Sequence, residues 1–145
     1  MRKYIFLIVV FAQILSGATI RANVTKVVVN GSENKYKFSV TLKSDETGCE
    51  QFANWWEILS KDGTLLYRRI LVHSHPDTQP FTRSGSRVKI KKTDTVYIRA
   101  HMNNVGYSGD IYVGSVQNGF SKLKKKVVFD LNIVHLAPLP SGCLY

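Results

Sequence analysis

Acid is scarce in this chain relative to base. Ten Asp and Glu stand against twenty Lys and Arg, which leaves a formal net charge of +10 at pH 7. Cysteine is also scarce, with only two in 145 residues. That number excludes a multiply cross-linked mini-scaffold and a four-thiolate metal site. After Leu15 no apolar run approaches the ~20 residues that a membrane-spanning helix needs, so no span is expected in the mature chain. Catalytic signatures are missing as well. Gly106-Tyr107-Ser108-Gly109 departs from the Gly-x-Ser-x-Gly elbow and sits where a turn between strands is expected. There is no phosphate loop and no dinucleotide fingerprint, and no residue is assigned a catalytic role. The chain is read as not an enzyme.

What is present begins with an export signal. Arg2 and Lys3 precede an apolar stretch, Tyr4 to Leu15, and small residues follow at Ser16, Gly17, Ala18 and Ala22. A positive start, a short apolar core and small residues before a cut make a cleavable secretory leader. Cuts after Ala18 and after Ala22 both fit. The second is preferred here, because it sets Ile20 and Ala22 in the two positions that a leader peptidase reads. The expected organisation is a leader over residues 1–22 and one domain over residues 23–145, secreted or periplasmic and monomeric. No cysteine lies near the cut, which excludes a lipid anchor on a mature N-terminal Cys. Losing Arg2, Lys3 and Arg21 and no acid lowers the formal charge from +10 to +7.

In an oxidising compartment an even pair of cysteines points to a disulfide. Cys49 and Cys143 are 94 residues apart, and chain entropy values such a closure at about 4–5 kcal/mol. The bridge would tie the tail Pro138-Leu139-Pro140-Ser141-Gly142-Cys143 to the loop ahead of the tryptophans.

The mature chain reads as strand after strand. Tyr36, Phe38, Val40 and Leu42 alternate with Lys37, Ser39 and Thr41, the period of two that marks one buried face. Val24–Val29 precedes this run across an Asn- and Gly-containing turn. Phe52–Ser60 and Leu65–His73 flank Asp62-Gly63, a hairpin signal. Further strands are predicted at Val88–Lys91, Thr95–Met102, Ile111–Val116 and Val127–His135, with His75–Arg87 as a long polar loop. About eight strands and no helix predict an all-β, two-sheet antiparallel sandwich of the immunoglobulin or fibronectin kind, with a small barrel as the alternative. The immunoglobulin Cys–Trp–Cys spacing is absent, so the prediction concerns architecture only.

Three groups of side chains invite a functional reading. His73 and His75 are two apart and would share one face of a strand. With His101 on another strand they could form a three-imidazole site for copper or zinc. Trp55 and Trp56 are adjacent, so an extended chain would turn one inward and point the other out. Loops or the tail are expected to cover that second face, and where they do not, Trp56 is the ring to meet a sugar or a partner. The loop from Gln79 to Arg87 offers Gln79, Arg83 and Arg87, and arginine forks match carboxylate or phosphate. These place a ligand at the end spanning His73 to Arg87. The ligand could be a protein, a glycan or another anionic surface molecule. The main reading is thus an exported non-enzymatic binding module. An extracytoplasmic copper or zinc protein and a structural envelope protein are the alternatives. Lysines are densest at Lys89, Lys91 and Lys92 and at Lys122, Lys124, Lys125 and Lys126. Without interleaved aromatics these runs are read as solvated turns and edge strands, and nucleic acid is not expected as a partner.

Overall fold

The computed structural model describes residues 19–144. The leader expected over residues 1–22 therefore falls outside the described residues up to position 18. Eight strands follow in order: β1 (Ala22–Asn30), β2 (Tyr36–Ser44), β3 (Ala53–Ser60), β4 (Leu65–Ile70), β5 (Phe81–Val88), β6 (Val96–Met102), β7 (Tyr112–Ser115) and β8 (Gly119–Lys122). A short 3₁₀ helix, Leu131–His135, lies in the C-terminal segment. The strands form two antiparallel sheets, one ordered β1-β2-β5 and the other β4-β3-β6-β7-β8. The chain is a two-sheet β-sandwich.

The core follows from alternation. Tyr36, Phe38, Val40 and Leu42 of β2 point inward and meet Trp56 and Ile58 of β3 and Val96, Ile98 and Ala100 of β6. The lysines and hydroxyls between them stay on the outer face, as a sheet with one wet side requires.

β3 does not alternate. Every residue from Ala53 to Leu59 is buried, because both of its faces are covered. The three-stranded sheet covers one face. The C-terminal segment, laid across the outside of the larger sheet, covers the other. Beneath that segment Glu57 is paired in register with Arg68 on β4 and Arg99 on β6, and Trp55 with His101. Glu57 accepts from Arg68 Nε at 2.9 Å and from Arg99 Nε at 2.8 Å. Arg68 also donates to the carbonyls of Ile133, Leu136 and Pro138. One guanidinium thus fastens the covering segment to the sheet. A buried carboxylate persists only with such partners.

Cys49 and Cys143 are bonded, with Cα atoms 5.6 Å apart. This disulfide fixes the far end of the covering segment, and Leu144 N donates to Val72 O just beyond it.

Two expectations are corrected. Residues 127–135 do not form a strand. Their β-branched run is half exposed, with Val128 at 85 %, and it serves as a cover, with Phe129 edge-on to Tyr97 at 5.2 Å. The supposed polar loop from His75 to Arg87 contains β5, which pairs with β2 from Phe81 to Val88. Its apolar content is small, but hydroxyls pair across the two strands: Thr41 with Thr82 at 2.8 Å and Ser39 with Ser84 at 2.9 Å.

Candidate functional site

Both ends of the sandwich carry side chains with binding chemistry. The end that contains His73 and His75 is organised around Glu46, a buried carboxylate on the loop after β2. Its Oε1 accepts from Ser44 Oγ at 2.7 Å and from Ala53 N at 3.2 Å. Its Oε2 accepts from Ser74 Oγ at 3.2 Å and from the backbone N of His75. A carboxylate that satisfies four donors from three segments is a structural hub.

The predicted ligand residues are drawn into the same network. Gln79 Oε1 accepts from Ser44 N at 2.9 Å, and its Nε2 donates to His75 O at 3.0 Å. Arg83 donates to His75 Nε2 and to Thr82 O. The His75 ring stacks on Phe81 at 4.0 Å. Burial, and then the Arg83 charge, push the His75 pKa below its ordinary value. Arg87 lies at the far end of β5, exposed and at φ 63°, on a bulge that shifts the register against β2. It is not brought to Gln79 and Arg83. Trp56 is fully buried in the core and packs on Tyr67 at 5.7 Å, which corrects its assignment as the exposed ring of the pair. Trp55 is buried too, between the His101 ring at 3.7 Å and the Arg68 guanidinium at 4.4 Å.

The three histidines have three different settings. His73 is exposed and its Nδ1 lies 3.1 Å from Leu144 O. His75 is held by Arg83. His101 Nδ1 is 2.7 Å from Asn54 Oδ1, and its ring also meets Tyr107 edge-on at 4.8 Å. Burial, with Arg68 and Arg99 close by, lowers the His101 pKa from 6.5 to about 4. Among the described residues, no group of three or more His, Cys, Asp or Glu gathers to hold a metal ion.

The opposite end is open. A cleft of about 750 Å³ lies between the β3–β4 turn and the segment leading from β5 to β6, lined by Lys61, Leu66, Lys89, Ile90, Thr93 and Thr95 among others. Its two carboxylates are occupied by their own turns. Asp62 accepts from Ser60 Oγ and Thr64 Oγ1, and the Ser60 bond does most to hold its pKa low. Asp94 Oδ2 accepts from Lys91 N at 2.8 Å. The lysines have no such partners: among the described residues, Lys122 alone of the lysines forms an ion pair, with Asp110 at 2.7 Å. Leu66, Ile90 and Val96 form the apolar part of the lining.

A second hollow, of about 120 Å³, adjoins the cleft at Lys61 and Asp62 and is walled by Val127 to Asp130. Lys124, Lys125 and Lys126 directly precede that wall and are exposed. The two lysine runs, separated by some thirty positions of sequence, therefore lead to one turn. The sequence displayed both runs, but nothing in it shows that they converge on Lys61.

The chain is similar to a protein of Halomicrobium mukohataei named as a candidate lipoprotein, with 35 % identity over 102 residues, covering 70 % of this chain and 50 % of the relative. It spans about half the length of the curated relative that it matches. No family model matches the chain, and no solved structure matches it.

Proposed function

We propose that this is an exported, non-enzymatic binding module of immunoglobulin or fibronectin type that holds an anionic surface polymer, a carboxylated or sulfated polysaccharide, at its lysine-rich end. One observation carries the reading: Lys61 and Lys89 line the open cleft without forming an ion pair among the described residues, with hydroxyls beside them and an apolar floor, and the exposed Lys91 and Lys92 follow on the same segment. Unpaired ammonium groups flanking a groove raise the local concentration of polyanions. The hydroxyls of Thr93 and Thr95 can accept and donate to sugar oxygens, and Leu66 and Ile90 can meet the apolar face of a sugar ring. The His73–Arg87 end supports binding less well, because Gln79 and Arg83 are already engaged inside the protein.

Export is supported by the leader pattern, by the disulfide and by the lipoprotein name of the similar protein. Both cysteines of this chain are joined to each other, so neither offers a thiol for lipid attachment.

The test is binding of purified protein to dextran sulfate and to polygalacturonate, with neutral dextran as control, at rising salt. Binding to the charged polymers is expected to weaken as salt rises, because screening shortens the reach of exposed charges. A Lys61→Glu/Lys89→Glu variant is expected to lose at least tenfold in affinity. Equal retention of neutral and charged dextrans, or an unchanged double variant, refutes the reading.

A further inference from the structure

We propose that the leader is removed after Ala18, so that the mature protein begins at Thr19. The inference rests on the export reading above and departs from the cut after Ala22 that the sequence pattern favoured.

The four residues between the two bonds belong to the fold. Ala22 is fully buried, is part of the core cluster and pairs with Ser44 as the first residue of β1. Ile20 packs against the same cluster. Arg21 is held by a reciprocal pair of bonds: its N donates to Asp45 Oδ2 at 2.9 Å, and its O accepts from Asp45 N at 2.9 Å. Gly109 lies against the Ala22–Asn23 peptide so closely that a Cβ there would fall 1.8 Å from Ala22 O. A cut after Ala22 removes all of these contacts. It also places a charged ammonium at Asn23, inside the seam where Asn23 Oδ1 and Val24 N bond Asp110. A cut after Ala18 keeps every one of them and places the new terminus at an exposed residue, Thr19.

The leader is cut from the emerging chain, so the finished fold does not shield either bond. The fold determines instead which product is complete. The earlier cut also fits the local sequence, and the burial of Ala22 reverses the preference between the two. A leader peptidase reads small residues at the last and third-last positions. Ala18 and Ser16 are both small, whereas Ile20 would put a β-branched side chain in the second pocket. In the step itself, water adds across the Ala18–Thr19 amide, leaving a carboxylate on Ala18 and an ammonium on Thr19.

The experiment expresses the full chain with its own leader in an exporting bacterial host and determines the N-terminus of the exported product by sequencing and intact mass. Thr19 is the expected result. Asn23, or any other first residue, overturns the proposal while leaving export intact. A full-length chain that stays uncut overturns the export reading along with it. A second measurement compares purified chains begun at Thr19 and at Asn23. The shorter is expected to melt roughly 5–10 °C lower, and equal melting temperatures overturn the structural argument for the site.

Discussion

The two ends of the sandwich use the same kinds of side chain for opposite purposes. At the Glu46 end, Gln79, Arg83, His75 and Ser74 are turned onto one another, a disulfide closes the margin, and Asn103 bonds both Phe52 N and Cys49 O at 2.9 Å. At the Lys61 end Asp62 and Asp94 accept from their own turns, and Lys61 and Lys89 form no ion pair among the described residues. A row of polar residues in a sequence does not announce a ligand. What matters is whether their partners lie within the protein, and that is decided by which segments the fold brings together.

The sharpest way to break this contrast is at the disulfide. A Cys49→Ser/Cys143→Ser variant is expected to lose about 4 kcal/mol in chemical denaturation, with polyanion binding below the melting transition unchanged. Next in size is Glu46→Ala, which strands the donors of Ser44, Ala53, Ser74 and His75. A loss of about 3 kcal/mol is expected, again without weakening the binding of dextran sulfate. If binding falls in step with stability in either variant, the two ends are not independent.

A third test uses pH. The folded chain protonates His101 near 4 and the unfolded chain near 6.5. Between those values the unfolded state holds more protons, so stability must fall as pH drops from 6.5 to 4 and level off below. The loss attributable to His101 is at most about 3 kcal/mol, less whatever solvent screening removes. His101→Phe keeps the stack on Trp55 and is expected to flatten that part of the stability profile measured by urea midpoints. The smallest expected effect is on the open side. Lys61→Ala and Lys89→Ala should each change stability by under about 0.5 kcal/mol, while each weakens polyanion retention on a charged column.

Much of the scaffold was legible in the sequence, because it is written in period two. Tyr36 to Leu42 alternate and do form β2, and Asp62-Gly63 does turn β3 into β4. β5 was not legible. Phe-Thr-Arg-Ser-Gly-Ser-Arg-Val is held by backbone pairing and hydroxyl contacts, and only Phe81, Gly85 and Val88 are buried. The run from Val127 to His135 misled for the opposite reason: it has strand composition but serves as a lid over Arg99 and Tyr97. Trp55 and Trp56 share that cause: alternation exposes one ring only where nothing covers the second face, and there the tail does cover it, so Trp56 is no ligand contact. The cleft could not be read at all. It needs Lys61 and Lys89 side by side, and their proximity exists only after the two sheets have packed.

The anchoring of residues 133–138 by Arg68 also decides what the larger sheet shows to solvent. Until those carbonyls arrive, the guanidiniums of Arg68 and Arg99 share a single carboxylate, and Trp55 and Tyr97 face water. Without that segment the larger sheet would present these rings and both guanidiniums to solvent. As the chain emerges amino end first, nearly all of it must be delivered before the larger sheet gains its outer layer and Cys49 its partner. A chain that lacked residues 133–138 would leave the outer face of β3 uncovered and Arg68 without its three carbonyl partners.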